Sequence, residues 1–198
     1  MYPLVVTRDP TAVEMEVQSA YLEIFPNGDR LYVPRVFGWA MECFTGNYED
    51  YLPVDTRYHD FEHTLQGTLC MARLLRGRHA AGAQPQLTQS AFHLGLAAIL
   101  LHDTGYLKQR GDDQGTGAKY TVTHVDRSAE FAAVLLARKG YNSREVQAVK
   151  NMIHCTGINA RLQAIPFQDE LEQLVGFALP IVRFPTALLA RICNGKSA

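Results

Sequence analysis

The stretch Ala91-Phe92-His93-Leu94-Gly95-Leu96-Ala97-Ala98-Ile99-Leu100-Leu101-His102-Asp103 decides the fold. Its apolar run has neither the alternation of a half-buried strand nor the β-branched content of a buried one, and it is too short to span a membrane. It reads as a helix, residues 88–102, buried on most sides, that ends on a His-Asp pair where bare charge is expensive. On either side of it, apolar residues recur at three- and four-residue steps. Val13, Val17, Ala20, Tyr21 and Ile24 predict a helix over 11–25, ended by Pro26-Asn27-Gly28. A second is expected over 33–44, with Pro34 in its first turn. A third, over 59–76, carries Leu65, Leu69, Ala72 and Leu75 on one stripe, and residues 77–85 read as a loop. Residues 108–120, rich in Gly and Asp, read as a mobile loop. Further helices are expected over 122–139, over 143–155 with Ser143 as N-cap, and after Pro166. The reading is all-α.

Composition bounds the function. The chain has 198 residues, is 47% hydrophobic, and balances 19 basic against 20 acidic residues for a formal charge of −1. That suits one domain and argues against a protein that holds long nucleic acid or an anionic membrane through a basic face, while leaving room for a small phosphorylated substrate. Cys43, Cys70, Cys155 and Cys193 are widely spaced, so reduced, mostly buried thiols are expected. With no leader-like N-terminus and no run of about 18 apolar residues, a cytoplasmic location is the expectation.

Five of the seven histidines fall at expected helix ends beside polar residues. In Tyr58-His59-Asp60-Phe61-Glu62-His63, His59 and His63 are four apart, hence on one helix face about a turn from each other; a solvated helix start is the plain alternative. Asp103, at the end of a buried helix, calls for a cationic partner, unless it is a turn residue. His124 opens a helix in Thr123-His124-Val125-Asp126, and His154 closes one in Met152-Ile153-His154-Cys155. Taken singly, each reads as structural, a protonated His near a helix C-terminus being favoured by the helix dipole. Together, imidazoles and a carboxylate suit Zn, Fe, Mn, Co or Ni, with Mg possible in a water-rich shell. His79 and His93 read as loop and core residues.

In this order the residues resemble the HD-domain metal-dependent phosphohydrolases, whose signature is a His, a His-Asp doublet at the end of an apolar helix and a distant Asp, on an α-helical bundle. His63, His102 and Asp103 match the first three. Tyr58-His59 with His63 is similar to the Y-H-x-x-x-H start of cyclic-nucleotide phosphodiesterases, and His124 and His154 match the extra histidines of two-metal members. The resemblance spans residues 58–156 and implies an HD-like helical bundle over 1–198. It implies one or two divalent metal ions and hydrolysis of a phosphoester on a small, nucleotide-like substrate.

On that resemblance Asp103 would bridge two ions, with His63 and His102 completing one and His124 and His154 the other, and His59 would donate a proton or hold the substrate phosphate. Asp60 or Glu62 would orient an imidazole, and Lys108, Arg110 and Lys119 are candidates to contact phosphate. Two departures stand out. The distal Asp is expected near residues 180–185, yet the last Asp is Asp169, and the segment from Pro180 carries Arg183, Arg191 and Lys196 but no acid. Either the tail breaks the expected sequence, by a shifted frame or early end, or Asp169 supplies the carboxylate. Tyr106 stands where the subgroup that cleaves cyclic dinucleotides has Lys, which argues against that substrate. Two alternatives remain: a catalytically inactive module that binds a nucleotide or protein partner, and a diiron oxygenase on an HD-like scaffold.

Overall fold

The computed structural model describes residues 4–183. These form seven helices, α1 (Pro10–Ile24), α2 (Tyr32–Phe44), α3 (Phe61–Ala80), α4 (Gln89–Leu101), α5 (His124–Arg138), α6 (Ser143–His154) and α7 (Glu170–Arg183). Short 3-10 turns occupy Thr104–Tyr106, Gly117–Tyr120 and Leu162–Ala164. No strand forms among the described residues; an isolated antiparallel bridge pairs Tyr51 with Gln109. No described helix is long and apolar enough to cross a membrane.

Helix α4 is the centre. From Ala91 to Leu101 every residue but His93 is buried, and α2, α3, α5, α6 and α7 all pack on it. A helix surrounded in this way needs no polar face, which is why its sequence shows no amphipathic stripe. The outer helices each turn one apolar stripe inward, such as Val13, Val17, Ala20 and Ile24 of α1, and Ala129, Ala132 and Leu136 of α5. Caps set where they start. Asp9 accepts from the Thr11 amide with Pro10 at N1, Thr88 accepts from the Ala91 amide, and Asn142 and Glu145 form a reciprocal capping box. The α6 cap is thus Asn142, one residue before the expected Ser143.

Helix α3 runs through Gly77 to Ala80 where a loop was expected, so His79 is an exposed residue of its last turn. Contacts outside the helix support the extension: Arg76 reaches Glu16 of α1 at 2.9 Å, and Arg78 donates to the Ala83 carbonyl at 2.6 Å. Arg73, fully buried, faces the same Glu16 at 3.5 Å and ties α1 to α3.

Residues 108–120 form an irregular loop with one 3-10 turn, and specific contacts tie its start to the bundle. Lys108 is buried, donating to the Gly115 carbonyl at 2.7 Å and pairing with Asp55 at 3.0 Å. Cys43 and Cys155 are free, and burial pushes both thiols up to about 12. Cys70, also buried, is disulfide-bonded where a reduced thiol was expected.

Candidate metal centre

The start of α3, the end of α4 and the start of α5 meet at one end of the bundle, and their histidines surround one carboxylate. Asp103 is fully buried just past α4. His59 Nδ1 donates to its Oδ2 at 2.9 Å, His102 Nε2 lies 3.3 Å from the same oxygen, and His63 Nε2 lies 3.8 Å from it. The nitrogens of His59 and His63 and the oxygen of Asp103 lie within 4.8 Å of one another, close enough to share one ion. His124 joins through its ring, 5.6 Å from that of His59. Burial alone would raise the Asp103 carboxyl; His102, His59 and His63 outweigh it and hold the group well below the ordinary carboxylate range.

Local chemistry sets each imidazole. His102 Nδ1 donates to the Ile99 carbonyl at 2.7 Å, and His124 Nδ1 to the Thr121 carbonyl at 2.6 Å. A carbonyl can only accept, so in each ring the neutral tautomer keeps its lone pair on Nε2, the form in which a histidine ligates a metal. His59 is not on α3 as the four-residue spacing suggested. It lies before the N-cap Asp60, anchored by a hydrogen bond from the Thr56 hydroxyl to its carbonyl, and this irregular backbone lets it reach Asp103. Asp60 accepts from the His63 amide at 2.9 Å, so it fixes the turn that carries His63 and not the ring itself. Glu62, the other candidate to orient a ring, points away to Thr7 and Arg8.

The remaining candidates divide. His154 closes α6 at the same end, but its Nδ1 faces Asp126 Oδ1 at 3.5 Å, because the end of α6 lies against the first turn of α5. Asp169 is exposed and caps α7, accepting from the Leu171 and Glu172 amides at 2.8 and 3.2 Å. It is thus engaged as a helix cap and is not among the residues grouped with Asp103; the tail from residue 184 lies outside the described residues. The three cations expected to contact phosphate have other partners: Lys108 pairs with Asp55, Arg110 donates to the Gly46 carbonyl, and Lys119 pairs with Asp112.

Several residues were not anticipated in these roles. Tyr106 is buried with its ring stacked 4.5 Å from both His59 and His124, at 18° and 22°, and braces the two imidazoles. Gly105 donates to Ser128 Oγ at 2.8 Å, and a Cβ there would overlap the His124 carbonyl oxygen, so only glycine lets the turn after Asp103 press on α5. Arg127 closes the join by donating to the Gly105 and Leu107 carbonyls. The signal was present in His102-Asp103-Thr104-Gly105, with Ser128 four residues after His124. Beside the centre, a cavity of about 570 Å³ is lined by Thr104 and Gly105, the ring cluster Tyr48, Tyr51 and Phe131, and Arg127.

The donor set fits a divalent metal. Three imidazoles face one buried carboxylate, and Asp103 Oδ1 is buried without a hydrogen-bond partner among the described residues, a costly state that a cation relieves. No family model matches the chain, and neither a curated protein nor a solved structure matches it.

Proposed function

We propose that the protein is a metal-dependent phosphohydrolase of HD-like architecture that cleaves a phosphoester of a small, nucleotide-like substrate. The observation that carries this reading is the convergence of His59, His63 and His102 on one oxygen of buried Asp103. His63, His102, Asp103 and His124 would hold the ion or ions. Bound there, a divalent metal supplies a water of lowered pKa and neutralises phosphoryl oxygens.

The chain's own groups do the rest. Asp103 offers negative charge in a buried setting where it attracts a cation strongly. The Ile99 and Thr121 carbonyls keep the ligating tautomers of His102 and His124. His59 has the most exposed side chain of the three rings that face Asp103, 17% against 9% for His63 and 1% for His102. It is therefore the one placed to give a proton to a leaving oxygen at Nε2 while Nδ1 stays on Asp103. The cavity beside Thr104 and Gly105, with Tyr48, Tyr51 and Phe131 in its wall, suits the flat organic part of such a substrate.

One observation favours a second reading, the inactive module that binds a nucleotide. Asp169 caps α7, which leaves Asp103 as the one carboxylate of the centre among the described residues. Elemental analysis of the purified chain, followed by hydrolysis of p-nitrophenyl phosphate and its diester with added Mn or Ni, separates the two. Bound metal with turnover that Asp103→Asn abolishes supports the hydrolase. Folded chain with neither metal nor turnover replaces it with the binding module.

A further inference from the structure

A second cavity, of about 470 Å³, lies at the opposite end of α4, enclosed by the first turns of α4 and α6, the middle of α2 and the end of α5. It shares no lining residue with the first cavity or the metal centre. Along α4, His93 and Asp103 are roughly 15 Å apart at 1.5 Å per residue.

Its wall has two properties. The first is flatness: Trp39 and Tyr141 meet edge to face at 6.3 Å, and the rings of Tyr32 and His93 stack at 3.5 Å and 10°. Burial lowers His93 to about 4, so at neutral pH it offers an uncharged face. The second is positive potential. Lys139 Nζ sits 5.2 Å from the centre of the Trp39 ring and makes no ion pair among the described residues. Arg35 reaches the same space from α2, with Nη2 on Asp29 at 2.6 Å. The first turns of α4 and α6 add the positive ends of two helix dipoles. The single carboxylate in the lining, Glu145, is turned back onto the Asn142 amide at 2.9 Å as half of the capping box. Arg35 is matched by Asp29, and Glu145 is engaged at the start of α6, so Lys139 is the cation left for one anionic group.

We propose that this cavity binds an aromatic anion, a planar ring bearing one phosphate or carboxylate, with the ring against Trp39 and the anionic group between Lys139 and Arg35. Such a ligand takes stacking energy from the ring and charge-assisted hydrogen bonds from the cations, which neither an aliphatic anion nor a neutral ring obtains in full. The site is independent of the chemistry proposed at Asp103.

Trp39 is the chain's one tryptophan, so its emission reports occupancy of this cavity directly. The test titrates 5′-AMP and 4-hydroxybenzoate into the full wild-type chain in EDTA, which suppresses turnover. A saturable change in Trp39 emission is expected with at least one of them. Adenosine, phenol and inorganic phosphate should each bind at least about tenfold more weakly. Lys139→Glu, a change at an exposed residue, should weaken binding at least about tenfold and leave phosphoester hydrolysis unchanged. Loss of binding with raised salt should accompany this. No saturable response to either anion at millimolar concentration overturns the proposal, as does equal binding by Lys139→Glu or by the neutral rings. Binding is read from Trp39 emission in EDTA, so a wild-type chain without hydrolysis still tests the proposal.

Discussion

His93 and His102 lie nine residues apart on or at the end of one helix, both hydrogen-bonded, and the difference that matters between their surroundings is a buried carboxylate. Around His93 are hydroxyls and rings: its Nε2 is 3.0 Å from the Tyr21 hydroxyl, and Tyr32 stacks on its face. Burial there pushes the imidazole toward neutrality, and Asp29 only partly opposes it. Around His102 burial is greater, yet Asp103 lies 3.3 Å away and two further imidazoles face the same oxygen. One end of the helix holds its histidine neutral, and the other sets its histidines around a buried carboxylate. The same residue type in the same helix thus packs at one end and is available for chemistry at the other.

The strongest way to break this contrast is to truncate each ring. His102→Ala should remove bound metal and cost more than the about 100-fold that outer-sphere changes at metal sites reach. His93→Ala should leave the metal content unchanged and cost about 2 kcal/mol in a denaturant titration. Equal metal content in the two variants would erase the distinction. Next in size, Gly105→Ala drives a Cβ into the His124 carbonyl and should destabilise by about 3 kcal/mol, with metal affinity falling as well because the turn after Asp103 must move.

The contrast also has a pH signature. His93 titrates at about 4 when folded, against an ordinary value of 6.5, so between those values the unfolded chain binds the extra proton. Its contribution to stability is complete above pH 6.5 and is lost as pH falls toward 4. In His93→Gln, the drop in unfolding midpoint between about pH 7 and about pH 4.5 should be smaller than in wild type. An equal drop would remove His93 from the acid limb. The smallest effect belongs to the cap beside the distal cavity: Asn142→Ala should cost about 1 kcal/mol and leave metal binding intact, measured by thermal melting and metal analysis.

The helices were legible because their stripes are: the apolar run 91–101 could be little other than a central helix, and Val13, Val17, Ala20 and Ile24 mark the inward face of α1. The end of α3 was not, since what carries it past Gly77 is Arg76 on Glu16 and Arg78 on Ala83, contacts made across the fold. At the centre, the order of His59, His63, His102, Asp103 and His124 named the residues that the fold gathers. It could not show that His154 meets Asp126 first, or that Asp169 is engaged at a helix start. Lys108 was misread for a related reason: a lysine in a Gly-rich stretch looks solvated until Asp55 is brought beside it from more than fifty residues away.

The hydrogen bond from the His63 amide to Asp60 joins two events that are usually separate. It belongs to the first turn of α3, and the ring on the same residue faces Asp103. Fraying of that turn therefore withdraws a donor from the centre, and anything that draws the His63 ring inward locks the turn. The exchange rate of this one backbone proton with solvent is thus a local gauge of site assembly, and it should slow on addition of a divalent metal even where no turnover is measured.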